Sequence, residues 1–293
     1  MKQQLTLNEM AATLEEQRKS IADYHANTRA LHFDANDDGD VLLHVRSSDI
    51  DIEPMPLRRT ALRQFATATS VPMKYVDRMN EQAPDLLAQN FNHWLDSDSQ
   101  EKLVRTMGDG RDGPRHVRAL LSNRYRMLDN WDFAAAILPR LQKLGAEVQS
   151  VAITEERFYM KAVAARVTGE VRTGDVIQAG IVASNSEVGL GSVKIEELDF
   201  RLICLNGMIR EVASRRAHLG RSYGHDADDL IEGAREYFRD STRQLEDKAQ
   251  WAKIEDTVGA MFSQDRLDQR LEGYRSATER RTTDPVATVR EVS

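Results

Sequence analysis

Cysteine is nearly missing from this chain of 293 residues; Cys204 is the single one. One thiol excludes an internal disulfide and any multi-cysteine zinc site, and it suits a reducing compartment. Its surroundings, "FRLICLNGM", predict a buried small hydrophobe rather than a reactive thiol. Long apolar runs are also lacking. None approaches the roughly 18 residues that a membrane span needs, and "MKQQLTLNEMAATLEEQ" has no apolar core of signal-peptide length. A soluble, intracellular protein without a membrane partner is expected.

Catalytic signatures are lacking too. There is no G-x-S-x-G, no H-E-x-x-H, no Walker A loop and no kinase set. The seven histidines are scattered; only "RAHLGRSYGHDADD" brings His218, His225, Asp226 and Asp228 close together, and a helix start explains these better than a metal. "DANDDGD" opens like a calcium loop with Asp34, Asn36, Asp38 and Gly39. Val45 stands where that pattern needs a bidentate Glu, so a hairpin turn is expected.

The chain has 40 Lys and Arg against 47 Asp and Glu, a net charge of −7, and 41% hydrophobic residues. Such a balance argues against a non-specific cationic coat, though a local basic face remains compatible with it. Two Arg-rich stretches stand out. Residues 105–126 hold six arginines against Asp109 and Asp112, and residues 201–221 hold five against Glu211, each a net +4.

The apolar periodicity predicts a helix over 7–27, a hairpin over 30–52, a helix, break and helix over 54–79 with Thr60 as a cap and "SVP" as the break, and a third helix over 83–99 with Leu86, Leu87, Phe91, Trp94 and Leu95 on its apolar side. Leu103–Met107 and Val117–Leu121 read as strands around "GDGRDGP", followed by a helix from Asp129 or Asn130 to Gly145. "AEVQSVAITEERFYMKAVAARV" reads as a hairpin, and more strands follow to residue 212. From Asp226 the chain reads as helical, with a frayed tail. The expected fold class is α+β: a central, mainly antiparallel sheet with a crossing helix, flanked by N- and C-terminal helices. It divides into 1–100 (hairpin and helical lead-in), 101–225 (α+β core) and 226–293 (helical segment), most simply one integrated domain.

"RTMGDGRDGPRHVRALLSNRYRMLDN" and "AGIVASNSEVGLGSVKIEELDFRLICLNGMI", with the lead-in "ATSVPMKYVDRMNEQAPDLLAQNFNHWL", resemble a family of phage/plasmid-like proteins that carry a domain of unknown function. The resemblance spans about residues 60–225. It implies a mobile-element protein in the bacterial cytoplasm or in a phage-infected host cell, and no catalytic residue.

Two main readings follow. In the first, the protein binds nucleic acid, in particular single-stranded DNA, and anneals strands as a homo-oligomer without a cofactor. Arg118, Arg124, Tyr125 and Arg126 would form one wall of a groove, and Arg201, Arg210, Arg215 and Arg216 the other; guanidinium groups fork onto phosphate and aromatic rings stack bases. In the second, a metal-dependent enzyme acts on nucleic acid or a nucleotide through Glu187, Asp129 and Asn185 around Mg²⁺, with Asn185, Ser186 and Glu187 as the site loop. A mobile-element protein that docks an acidic partner is a third reading.

Overall fold

A computed structural model of the chain describes residues 5–46, 52–110, 113–202, 207–216 and 240–279. The fold is α+β with antiparallel sheets, as the alternation and helical periodicity imply. The described strands divide into three sheets rather than one.

Helix α1 (Leu7–Ser20) starts at a capping box. The Glu9 amide donates to Thr6 Oγ1 at 3.2 Å, and the Thr6 amide donates back to Glu9 Oε2 at 2.7 Å. The helix predicted over 7–27 stops at Ser20, because Ile21 turns extended and β1 (Ile21–Asn27) pairs antiparallel with β5 (Glu101–Gly108) from Ile21–Met107 to Asn27–Glu101. A seven-residue ladder outweighs the helical spacing of Ile21 and Tyr24. A second hairpin, β2 (Leu31–Ala35) and β3 (Val41–Val45), turns at Gly39, whose φ of +84° suits glycine. The Asn36 side chain accepts the Asp40 amide at 2.7 Å, so the calcium-like residues make turn chemistry.

Short β4 (Met55–Pro56) leads into α2 (Arg59–Ala68), α3 (Met73–Gln82) and α4 (Pro84–Ser97). Thr60 lies inside α2, not at its cap; Arg58 holds that place. These helices and the sheet β2-β3-β4 enclose a first core, in which the Phe33 and Phe65 rings meet edge-on at 4.9 Å and Phe91 joins them. The periodicity of α4 misleads at two positions. Leu87, Phe91 and Leu95 are buried, whereas Leu86 and Trp94 lie 44% and 47% exposed.

Strand β6 (Arg115–Ser122) completes the sheet β1-β5-β6. Then α5 (Asn130–Lys143) ends at Gly145, with φ +62°. Five strands follow as β7 (Ala146–Ile153), β8 (Phe158–Glu170), β9 (Val176–Asn185), β10 (Val193–Arg201) and β11 (Gly207–Arg216), in the spatial order β11-β10-β9-β8-β7. One face of that sheet carries Met160, Ala162, Ile181 and Ile195. It packs with α1, α5, α6 (Asp240–Met261) and α7 (Gln264–Glu279) into a second core. Helix α7 also clamps β10 with charge. Arg266 and Arg270 pair with Glu197, Arg270 Nε donates to Asp199 at 2.9 Å, and the Tyr274 hydroxyl donates to Asp199 at 2.6 Å. Residues 266, 270 and 274 share one helix face by their i, i+4 spacing. No described helix is long and apolar enough to cross a membrane.

Candidate functional site

The two cores meet through a small apolar contact of Leu103, Ala119, Leu121, Tyr125 and Val188. Around it lie most of the residues that the sequence singles out. Asp23 and Arg105 are direct partners across the β1–β5 ladder. Arg105 is 1% exposed, yet each nitrogen of its guanidinium has a partner. Nε donates to Asp23 Oδ1 at 3.1 Å, Nη1 to the Glu187 carbonyl at 3.1 Å and Nη2 to Asp129 Oδ1 at 2.8 Å. Burial disfavours the charged form, but Asp129 and Asp23 outweigh it and hold the guanidinium above its ordinary pKa.

Arg118 reaches this junction through a β-bulge. In the β5–β6 ladder Arg105 pairs with Ala119 and Thr106 with Val117, so Arg118 has no partner on β5. Val117 therefore faces the first core and Ala119, two residues on, the opposite side. Arg118 points with Ala119, and its Nη1 donates to Glu187 Oε2 at 2.9 Å. Glu187 is 3% exposed, and its other oxygen accepts the Asn130 amide at 2.7 Å, the first orphan N–H of α5. Asp129, the N-cap by position, makes no capping bond; it serves Arg105. Asn185 donates to the Leu128 carbonyl and to Asn130 Oδ1, and Ser186 Oγ donates to the Glu156 carbonyl. The Tyr125 hydroxyl donates to the Ser186 carbonyl at 2.9 Å, and burial pushes its pKa well above the ordinary phenol value.

These placements correct two expectations. Arg118 and Tyr125, expected to hold a strand of nucleic acid, are 6% and 7% exposed and spend their polar atoms on the protein itself. Both Glu187 oxygens are likewise occupied, one by Arg118 and one by the α5 amide, so neither stands open as a general base or metal ligand; among the described residues no group of three or more His, Cys, Asp or Glu is arranged to hold a metal ion. The remaining expected residues scatter. Arg124 is exposed beside the junction. Arg126 lies 3.8 Å from Glu246 on α6, and Arg201 lies 2.8 Å from Asp175. Arg210, Arg215 and Arg216 occupy β11 positions opposite Glu197, Lys194 and Val193; their side chains lie outside the described residues, as do Cys204, Tyr223, His218 and His225. The two Arg-rich stretches thus belong to different sheets.

The exposed cations that form a face lie elsewhere. Residues 56–82, through the end of α3, carry Arg58, Arg59, Arg63, Lys74 and Arg78 against Asp77 and Glu81, a net +3 in an acidic chain. All five are exposed, and Tyr75 between them is 43% exposed. Arg59 pairs with Asp77; Arg58 lies 3.5 Å from Glu155 and Arg63 3.8 Å from Glu156. Exposed pairs of this kind are worth ~0–1 kcal/mol and yield readily to a phosphate. Between α2 and α3 runs an open groove of about 420 Å³ lined by Arg63, Thr67, Ser70, Val71, Pro72 and Met73. Its bend is a Schellman turn: Val71 N–H donates to the Ala66 carbonyl and Ser70 N–H to that of Thr67, with Ser70 at φ +56°. The groove combines an apolar floor, two hydroxyl residues and one cation, Arg63. Sequence reading passed over this face because its charges are spread along two helices instead of clustered in one strand.

Comparison with family models, with curated proteins and with solved structures finds no match to this chain.

Proposed function

We propose that the chain is a nucleic-acid-binding protein of the mobile-element kind that its motifs resemble, and that it takes single strands on the α2–α3 face rather than on the Arg118–Tyr125 wall. The observation that carries this reading is the groove. It is an open, apolar-floored channel rimmed by Arg63, with Lys74, Tyr75 and Arg78 exposed on the adjoining helix. Single-strand binding needs cations that track phosphates and an accessible aromatic face for a base, and it needs no cofactor.

The test is fluorescence anisotropy of a labelled oligothymidine over a salt series. Binding is expected to weaken as salt rises, with a slope of about −0.7 per phosphate neutralised on the logarithmic scale. Replacing Arg63, Lys74 and Arg78 by Ala flattens that slope and weakens binding, while Arg201→Ala, on another sheet and paired with Asp175, leaves both unchanged. No binding at low salt, or equal loss from the Arg201 variant, refutes the proposal.

A further inference from the structure

We infer that the α2–α3 face also receives a second copy of this chain, through an acidic, apolar face on α4. Helix α4 leaves Leu86 and Trp94 exposed. They are eight residues apart, about 80° around the helix and about 12 Å along its axis, within the width of one helix face. Trp94 Nε1 donates to Asn90 on the turn between them, so the indole stands along the helix and keeps its ring outward. Large apolar side chains aligned on one face, with an exposed Trp, are what interfaces use as anchors.

Charge says what covers them. The β2–β3 turn abuts the start of α4: a side chain at Gly39 would touch Pro84 Cγ at 3.9 Å. That contact sets exposed Asp37, Asp38 and Asp40 beside exposed Asp85, which precedes Leu86. Hydrogen bonds between Asn92 and both the amide and the carbonyl of Phe33, at 2.7 and 2.8 Å, fix hairpin and helix together, so acid and apolar groups form one rigid surface. The complementary surface is on the same molecule. On α3, Lys74 and Arg78 flank the exposed Tyr75, and among the described residues no carboxylate pairs with Lys74 or Arg78. An acidic, Trp-bearing patch and a basic, Tyr-bearing patch on one chain match each other between copies. The contact is heterologous, so it propagates into rings or filaments. It also engages the face proposed for nucleic acid, so a bound strand and a bound copy compete. This inference rests on that reading only for the competition, not for the contact.

Sedimentation velocity of the full chain tests it. The wild type is expected to show mass-action growth above the monomer at low salt and to return toward monomer at high salt. Two variants carry the decision: Asp37→Lys with Asp38→Lys and Asp40→Lys, and Arg63→Glu with Lys74→Glu and Arg78→Glu. All six positions are exposed, and circular dichroism confirms that each variant folds. Each alone is monomeric, because its two faces now share a sign; mixed in equal amounts they associate again. Trp94→Ala weakens wild-type association at least about tenfold, the loss of one anchor side chain. A wild type that is monomeric at every concentration, or variants that associate alone as well as the wild type does, overturns the inference. Association that survives while oligothymidine fails to bind sinks the nucleic-acid reading and leaves the contact standing; oligothymidine that binds without dissociating the assembly overturns the shared face.

Discussion

Replacing Glu187 by Gln probes the junction between the two cores most directly. The carboxylate is 3% exposed and joins three elements: Arg118 on β6 at 2.9 Å, the α5 amide of Asn130 at 2.7 Å, and its own loop, whose carbonyl serves Arg105. An amide keeps the shape but offers one acceptor oxygen where two are used, and its NH₂ meets a donor. Arg118, 6% exposed, is left with the Glu155 carbonyl at 3.4 Å. Removing one partner of a buried ion pair costs about 3–5 kcal/mol, because a charge is stranded without compensation. Against a typical domain stability of about 5–15 kcal/mol this is a large fraction. It corresponds to a fall in melting temperature of roughly 6–20 °C, at about 2–4 °C per kcal/mol for a chain of this size. Thermal and urea denaturation followed by circular dichroism measure it. Arg118→Met alone costs a similar amount, and the double variant costs less than the two single losses added together, since no charge is then stranded. A loss below about 1 kcal/mol, or strictly additive losses, refutes the view that this pair is buried and coupled.

Three further outcomes follow from local geometry. Ser70→Gly stabilises by about 1 kcal/mol in urea melts, because φ +56° costs an L-residue at the end of α2 and costs glycine nothing. Gly189→Ala destabilises by about 1–3 kcal/mol in the same assay: φ is +76°, and the new methyl would stand 2.6 Å from Leu121 Cδ2. Tyr125→Phe loses about 1 kcal/mol with its bond to Ser186, and it alters the alkaline limb. Burial raises the Tyr125 pKa in the folded state, so its contribution is full below the ordinary phenol value of ~10 and is lost as pH rises above that. The Phe variant is therefore expected to lose less stability than the wild type between neutral and strongly alkaline pH.

Much of the fold is legible in the sequence where periodicity and turn residues agree. The hairpin closing at "TEER", the strands around "GDGRDGP" and the Gly145 stop all stand where the pattern puts them. Long-range pairing is what the pattern cannot carry. Ile21–Asn27 reads as the end of a helix because its partner, β5, lies some eighty residues away, and the split of the strands into separate sheets has no local signal. The candidate residues were misread for a related reason. Arg118 and Arg105 look like surface cations in a basic run; their partners Glu187, Asp129 and Asp23 come from three other segments. In contrast, the exposed cations of α2 and α3 are spaced at helical intervals and form no run.

The extra residue in β6 has a consequence for how the chain finds its register. With regular alternation, Arg118 would share a side with Leu120 and enter the Phe33–Phe65–Phe91 interior, while Val117 would turn toward the ionic junction. A hairpin zipped without the bulge thus strands a guanidinium in oil and leaves Glu187 unanswered. The bulge thereby makes one register of β6 the condition for both the apolar core and the buried ion pair.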